Sequence, residues 1–216
     1  MKRISMMDIY GFFQKPFRNR RFKLFKDIIQ PTPQIRILDV GGNPWFWGDL
    51  QMASRITLLN PDKLPDDLVK RYGQFGFVVA DGCQLPFPDQ SFDVGFSNSV
   101  IEHVGTYERQ KEFAAELRRV GRTLWVQTPA WEFPVEPHLM TPLFQYLPRW
   151  LQRRTLRHFT IFGLVTKPTP ARVDAFLNEV RLLKYREMQE LFPDCEIHCE
   201  RVLGITKSYI AIRKKP

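Results

Sequence analysis

Cysteine pairs and long apolar runs are both missing from this 216-residue sequence. Its three cysteines, Cys83, Cys195 and Cys199, are odd in number and form no Cys-x-x-Cys pair, so neither a disulfide framework nor a zinc site is indicated. No apolar run approaches the roughly 20 residues that span a bilayer, and the first residues lack a signal-peptide core. By elimination, we expect a cytoplasmic protein with no bound metal.

Acidic residues are also few: 23 Asp and Glu stand against 32 Lys and Arg, a formal net charge of +9. With a pI near 9.6, the chain suits an acidic partner, and nucleic acid and anionic lipid both remain open. The hydrophobic fraction of 44% is ordinary for a globular protein, so we expect one domain with a sizeable core.

The stretch from Ile35 to Asp49 is the one around which the chain is organised. An apolar run long enough for a buried strand carries Asp39 near its end and stops at Gly41 and Gly42. Glycines permit a sharp bend and let a ligand lie against the backbone. A helix starting near Trp45 would aim its first N–H groups at the same spot. A plain turn in an α/β domain is the alternative.

Further strands and helices alternate along the chain, which predicts an α/β fold with a doubly wound, mostly parallel sheet. We predict strands at 55–60, 75–80, 91–98 and 123–128, and a helix capped by Thr106 and closed by Gly121. Helices at 173–180 and 184–192 and an antiparallel strand pair at 196–203 and 205–212 complete the prediction. Ligands bind such sheets at the carboxyl ends of the strands, where Asp39, Asn60, Asp81 and the 97–103 loop all fall.

Three motifs of the chain, in order, carry a family resemblance: ILDVGG, then ADGCQLPFPDQSFDVGFSNSVIEHV, then RTLWVQTP after a helix. They resemble the class I S-adenosylmethionine-dependent methyltransferases, and within these the small-molecule branch called methyltransferase type 11. The resemblance covers roughly Ile35 to Pro129. Two departures stand out: Asn43-Pro44-Trp45 replaces the third glycine of the family, and Asn60 replaces its acidic residue after the second strand, with Asp62 two residues on as the alternative ribose contact.

The resemblance implies a seven-stranded Rossmann-like sheet and S-adenosyl-L-methionine as cofactor. Asp39 would orient the turn and hold the cofactor's amino group, while Gly41 and Gly42 let its amino-acid end pass. Asn60 would pair with ribose hydroxyls, and Asp81 would accept from the adenine amino group. The remaining implied cofactor contacts are Gly82 and Cys83 beside the ring, and Asn98 at the end of the fourth strand. Asp81-Gly82 and Asn60-Pro61 are also ordinary turn and loop pairs.

Methyl transfer to a hydroxyl benefits from a general base, most often histidine. His103 follows the fourth strand and His138 the fifth, each beside a glutamate, so both are catalytic candidates; a loop or core role is the alternative. His158 lies in a basic, helical run and His198 in a predicted strand, which makes both poorer candidates.

Two basic, aromatic segments flank this domain. Residues 1–30 are predicted to form a helical arm, in which Ser5 caps a first helix and Pro16 begins a second. The second helix is amphipathic. Its apolar face consists of Phe17, Leu24, Phe25 and Ile28, and its cationic face of Arg18, Arg20, Arg21, Lys23 and Lys26. The resemblance implies that residues 31–216 form the methyltransferase domain, with an aromatic and arginine-rich insertion at 129–165 that would cover the substrate. Either segment can simply pack and solvate its charges, or act as a lid or lipid-facing surface.

We therefore predict methylation of oxygen or nitrogen on a small-molecule or lipid-linked acceptor, anionic in character, with salt-sensitive peripheral membrane contact and no insertion. An RNA methyltransferase and a non-catalytic S-adenosylmethionine-binding protein are the alternatives. Against RNA, the fourth strand ends in Ser97-Asn98-Ser99 instead of an Asn/Asp-Pro-Pro-aromatic motif, and the remaining length leaves no room for an RNA-binding module.

Overall fold

A computed structural model describes residues 6–49 and 55–214. Within these ranges the strands, in chain order, are β1 (Arg36–Val40), β2 (Arg55–Asn60), β3 (Gly76–Val79), β4 (Phe92–Asn98), β5 (Gly121–Pro129), β6 (Val135–Glu136), β7 (Thr141–Pro142), β8 (Glu196–Val202) and β9 (Ile205–Arg213). The α-helices are α1 (Met6–Ile29), α2 (Pro44–Asp49), α3 (Asp66–Arg71), α4 (Tyr107–Val120), α5 (Arg149–Phe159), α6 (Ile161–Thr166), α7 (Pro170–Glu179) and α8 (Tyr185–Leu191). Two 3₁₀ turns span Ile101–His103 and Phe144–Tyr146.

Seven strands form one sheet in the order β3-β2-β1-β4-β5-β9-β8. The first five run parallel, and β9 runs antiparallel between β5 and β8. The chain proceeds outward from β1 to β3 and then returns to β4 on the other side of β1. The order therefore reverses beside β1, which is where open α/β sheets bind ligands. The predicted doubly wound seven-stranded sheet is confirmed.

The central strands form because they are almost continuously apolar and are covered on both faces, as parallel strands must be. Leu38, Val40, Leu59 and Val126 are each at most 2% exposed and pack with Phe113 and Leu117 of α4. That helix begins where predicted, since the Thr106 hydroxyl accepts the Arg109 N–H at 3.3 Å. Its end at Gly121 is extended, at φ −93°, because β5 starts there at once.

The chain divides into two compact units. The sheet unit comprises Pro31–Phe133 and the chain from Asn178 onward. The helical unit combines the chain up to Gln30 with Pro134–Leu177. Within the helical unit a separate small core is built from Leu139, Phe144, Leu156, Val173 and Leu177. The arm and most of the aromatic insertion thus share one unit.

Helix α1 differs from the predicted arm in two respects. It runs without interruption through Pro16, so the predicted second helix beginning there is wrong: the fixed φ of proline is compatible with a helix, although proline in a helix loses a hydrogen bond and crowds the preceding turn. Arg21, expected on the cationic face, is buried with Phe22 and Phe25, whereas Lys23 and Lys26 are exposed as expected. Ser5 lies outside the described residues. No helix in the described part of the chain combines the length and apolar character needed to cross a bilayer.

Candidate functional site

The turn after β1 is shaped by Gly41, whose φ of +77° favours glycine. Its N–H donates to the Leu59 carbonyl at 2.7 Å, which ties the turn to β2. A Cβ on Gly41 would lie 2.4 Å from Cγ2 of Val100, a residue that follows β4. The turn therefore lies directly against the chain leaving β4, at the point where the strand order reverses.

Asp39 is buried beneath this turn, with 3% of its surface exposed. Trp47 of α2, itself fully buried, donates its indole N–H to Asp39 Oδ2 at 2.6 Å. A Cβ on Gly42 would stand only 2.3 Å from the same oxygen. Burial raises the pKa of Asp39 to about 7, and the Trp47 hydrogen bond offsets part of this. Asp39 thus joins the turn to α2.

Asn60, at the end of β2, braces the glycine turn from the other side. Its Nδ2 donates to the Gly42 carbonyl at 2.9 Å. An ionised aspartate at this position could only accept hydrogen bonds and would face that carbonyl unfavourably. The departure from the family pattern at Asn60 is therefore matched by a contact that needs an amide.

Asp81 follows β3 and has a very different environment. Its side chain is 51% exposed and pairs with Arg109 of α4 at 2.6 Å, while the Cys83 N–H donates to its other oxygen at 2.9 Å. Together the Cys83 N–H and the Arg109 guanidinium hold the pKa of Asp81 below its ordinary value. Asp81 therefore presents a charged, accessible acceptor.

Gly82 and Cys83 form a close-packed floor beside Asp81. A Cβ on Gly82 would lie 2.8 Å from Phe113 Cε2 and 2.9 Å from Val40 Cγ1. Cys83 is buried, and burial raises the pKa of its thiol to about 11, so it stays protonated. Cys83 is thus a packing residue with no nucleophilic character.

The end of β4 is fastened to both neighbouring strands. The Ser97 hydroxyl donates to the Val40 carbonyl at 3.1 Å. Beyond Asn98, which is half-buried, Ser99 adopts φ +57°, and its N–H and hydroxyl both donate to Gln127 of β5, each at 2.9 Å. These bonds fix the chain as it leaves the sheet toward the first candidate histidine.

That histidine, His103, is exposed at the end of the 3₁₀ turn, whereas its neighbour Glu102 is completely buried. Glu102 accepts the Thr128 hydroxyl at 2.9 Å, and its carbonyl accepts the Arg181 N–H at 2.8 Å. Buried Gln110 donates to the carbonyls of Ile101 and Arg181 at 3.0 and 2.9 Å. Glu102 and Gln110 thus anchor the loop that carries His103.

His138 lies in the helical unit, between the paired strands β6 and β7. Its Nδ1 is 2.7 Å from Oε1 of Glu136, whose other oxygen accepts the Leu139 N–H at 2.5 Å. Glu136 is only 4% exposed, so both of its oxygens are held inside the unit. Since a carboxylate can only accept, Nδ1 carries the hydrogen and Nε2 is the basic nitrogen of the neutral ring.

The implied cofactor residues thus sit together, at the carboxyl ends of four neighbouring strands β3, β2, β1 and β4, in the sheet unit. His103 belongs to the same unit, and His138 to the helical unit. Sequence reasoning missed Trp47, Arg109 and Gln110. Gln110 left a signal, because it is the polar member of the buried α4 face that includes Phe113 and Leu117.

Comparisons with known proteins agree with this geometry. Residues 38–123 match the family described as Methyltransferase domain. An uncharacterised methyltransferase of Mycolicibacterium gilvum is 30% identical over 134 residues, 59% of this chain and 52% of that protein. Another, from Mycobacterium marinum, matches over 34% of its length, so the chain spans about a third to a half of these curated relatives.

Two solved structures share the fold. A SAM-dependent methyltransferase from Aquifex aeolicus matches 90% of this chain and 88% of its own, with a TM-score of 0.51 and 14% identity. The geranyl diphosphate C-methyltransferase of Streptomyces coelicolor A3(2), solved with S-adenosyl-L-homocysteine, matches 92% of this chain and 76% of its own, with a TM-score of 0.55 and 10% identity. At sequence identities of 14% and 10%, these two comparisons show a shared fold.

Proposed function

We propose that this chain is a class I S-adenosylmethionine-dependent methyltransferase that methylates oxygen or nitrogen on a small-molecule or lipid-linked acceptor. The observation that carries the proposal is the convergence of the glycine turn, Asn60 and Asp81 on one edge of the sheet, beside the reversal of strand order. The resemblance to the small-molecule methyltransferase type 11 branch favours such an acceptor over RNA.

The residues at this edge suit S-adenosylmethionine. Gly41 and Gly42 offer backbone with no Cβ to a bound amino-acid group, and Asp81 offers a charged acceptor to the adenine amino group. Asn60 uses one amide hydrogen on Gly42 and keeps a carbonyl oxygen and a second hydrogen for ribose hydroxyls. Bound there, the cofactor would supply the methyl group that its sulfonium sulfur carries. When the methyl group passes to the acceptor, the rest of the cofactor leaves as a neutral thioether.

Catalysis then needs alignment, which can supply on the order of 7–11 kcal/mol, and a base where the acceptor is a hydroxyl. The Glu136–His138 pair has the arrangement of a general base, because the carboxylate fixes the ring and assigns the proton to Nδ1. We propose His138 or His103 as that base, and His103 belongs to the same unit as the cofactor residues.

Calorimetry with S-adenosylmethionine tests the cofactor site. Asp81→Ala is expected to weaken binding by roughly 1.5–3 kcal/mol, the worth of a hydrogen bond to a charged group, and Asp39→Ala is expected to weaken it by a similar amount through the glycine turn that Asp39 supports. Asp89→Ala is the matched control, since Asp89 is an exposed carboxylate in the loop before β4, at the other end of the sheet. Unchanged affinity in both site variants would remove the assignment, and absence of binding to the wild type would remove the proposed activity.

Labelled methyl transfer tests the chemistry and the acceptor class. Incubation with methyl-labelled S-adenosylmethionine and separate lipid, small-molecule and RNA fractions of a cell extract is expected to label the first or second fraction. Label in RNA alone would favour the RNA alternative, and cofactor binding without any label would favour a non-catalytic protein.

With the accepting fraction, His103→Ala or His138→Ala is expected to lower turnover about 10²–10⁴-fold without changing cofactor affinity. His158→Ala, which changes an exposed histidine on α5, is the matched control. Full turnover in both the His103 and the His138 variants would leave alignment as the whole mechanism.

A further inference from the structure

Four large apolar side chains stand exposed where α5 meets α6. Phe159 is 74% exposed, Leu164 60%, Val165 50% and Ile161 40%. We call these four residues the α5–α6 corner. A cluster of this kind on an otherwise well-packed protein marks a contact surface.

The corner is held rigidly. The Thr160 hydroxyl donates to the Leu156 carbonyl at 2.6 Å and accepts the Gly163 N–H at 2.8 Å. A Cβ on Gly163 would lie 2.0 Å from the Leu156 carbonyl oxygen, so the two helices touch through backbone. Because Leu156 and Gly163 already fill the inner side, the four apolar side chains of the corner are directed outward.

The surface of α5 beside the corner is cationic. Residues 137–173 contain no aspartate or glutamate, and six arginines and lysines. Arg153 pairs with Asp174 at 2.7 Å, but Arg154 and Arg157 are exposed and form no ion pair within the described chain. Arg154 instead lies over the ring of Trp150, itself 62% exposed, at 5.9 Å from the ring centroid. Trp150, Arg154 and Arg157 therefore lie along α5, and the apolar α5–α6 corner follows them at the end of that helix.

We propose that the α5–α6 corner docks the protein on an anionic lipid bilayer. Phe159, Ile161, Leu164 and Val165 enter the boundary between headgroups and acyl chains, Trp150 lies at headgroup depth, and Arg154 and Arg157 contact lipid phosphates. This differs from the purely electrostatic contact predicted from the sequence, because the apolar corner adds a component that salt does not screen.

Two other partners fit the surface less well. RNA bases stack on aromatic rings, and the exposed aliphatic side chains of Ile161, Leu164 and Val165 offer no such stacking surface. A second copy of the chain meeting this surface symmetrically would bring Arg154 and Arg157 close to their own equivalents, and residues 137–173 contain no aspartate or glutamate to compensate. A bilayer satisfies both the aliphatic and the cationic part. The proposal deepens the proposed function by placing the enzyme where a lipid-linked acceptor resides, but its test needs neither cofactor nor acceptor.

Vesicle flotation of the full chain tests the proposal. The wild type is expected to float with phosphatidylcholine vesicles that contain phosphatidylglycerol, and weakly with phosphatidylcholine alone. Phe159→Ser with Leu164→Ser is expected to lower partitioning by about tenfold or more, since each apolar side chain loses its burial. Leu203→Ser is the matched control, because Leu203 is 99% exposed at the β8–β9 turn.

The charge variant Arg154→Gln with Arg157→Gln is expected to lower partitioning roughly 30-fold at low salt. Near 1 M salt, where the Debye length is about 3 Å, its difference from the wild type should largely vanish. Arg186→Gln with Arg201→Gln removes two exposed arginines of the sheet unit and is expected to change nothing. Phe159→Trp retains the apolar area, and its fluorescence should be quenched by brominated acyl chains.

Three outcomes would overturn the proposal. One is flotation that the corner variants leave unchanged, or no flotation of the wild type. Another is a wild-type dimer in sedimentation that the serine variant converts to monomer, which would make the corner a self-association surface. The third is retention on immobilised polyuridine that requires Arg154 and Arg157, without flotation. Unchanged S-adenosylmethionine affinity in the variants separates a failure of docking from a failure of the cofactor site.

Discussion

An aspartate lies at the carboxyl end of β1 and another follows the carboxyl end of β3, and the two differ in burial and in charge. Asp39 is 3% exposed, bonded to an indole and shifted toward its neutral form, with a pKa of about 7. The side chain of Asp81 is 51% exposed and ion-paired, and its pKa is lowered. Residue type and position in the strand are therefore poor guides to the role of a carboxyl group.

The two environments suit different roles: Asp39 shapes the glycine turn, whereas Asp81 is suited to recognise a ligand. Asp39 acts on the turn and on α2 through Gly42 and Trp47, and its charge is suppressed by burial. Asp81 has the exposure and the fixed charge that direct recognition of a ligand needs, because Arg109 and the Cys83 N–H stabilise the ionised form. The following variants test this division, from the largest expected effect to the smallest.

Gly42→Ala should have the largest effect. The added methyl group would stand 2.3 Å from Asp39 Oδ2 and 2.9 Å from Leu58 Cδ2, so either the turn or the buried carboxyl must move. We expect a loss of about 3 kcal/mol in the free energy of unfolding, the upper part of the range for overpacking, measured by urea denaturation. Gly73→Ala is the control, since its nearest non-neighbouring atom would be 3.7 Å away. Equal stability of the two variants would show that Asp39 does not fix the turn.

Asp39→Asn should change how stability depends on pH. The folded protein keeps the Asp39 proton up to about pH 7, whereas the unfolded chain releases it above 3.8. Between these values the unfolded state binds fewer protons, so wild-type stability falls relative to the variant by up to about 1.4 kcal/mol per pH unit as pH rises. The asparagine oxygen still accepts the Trp47 N–H, so the contact is preserved. Denaturation at pH 4, 5.5 and 7 measures the difference.

Asp81→Asn provides the control of opposite sign. A lowered pKa stabilises the fold above the unfolded value of 3.8, and that stabilisation is lost as pH falls through the folded value. The wild type should therefore lose its advantage over this variant only in acid. The same pH trend in both variants would erase the distinction between the two strand ends.

Arg109→Gln should have the smallest effect. The Arg109–Asp81 pair is exposed, so its loss should cost less than about 1 kcal/mol of stability and raise the pKa of Asp81 toward its ordinary value. Carboxyl NMR titration follows that pKa directly. Glu112→Gln removes the other ion pair of Arg109, at 3.0 Å, and should leave the Asp81 titration almost unchanged.

The sequence predicted the sheet well because its strands are apolar, short and ended by glycine, proline or polar residues. Bounds such as Arg55–Asn60 agree with the prediction, as does the cap at Thr106. The side-chain partners could not be predicted: Asp81 and Arg109 are 28 residues apart, and nothing local says that α4 brings them together. The Trp47 contact of Asp39 likewise requires knowledge of how α2 turns back over β1.

The helical unit was less predictable. Its two parts, the arm and Pro134–Leu177, are far apart in the chain and share no periodic signal that would join them. Proline is common at helix starts, but α1 continues through Pro16, so this local preference does not locate a helix start here. The exposure of Phe159 and Leu164 could not be predicted from the sequence either, because an apolar residue in a helix is ordinarily expected to face inward.

The position of β9 has a consequence for biosynthesis. This strand pairs with β5 over Ser208–Arg213 and with β8, although both precede it in the chain. Until residues 205–213 have left the ribosome, a nascent sheet of β1 to β5 keeps the backbone groups of Leu124–Pro129 open along an apolar edge. Such edges recruit other strands, so this edge stays open to mispairing until β9 has been added.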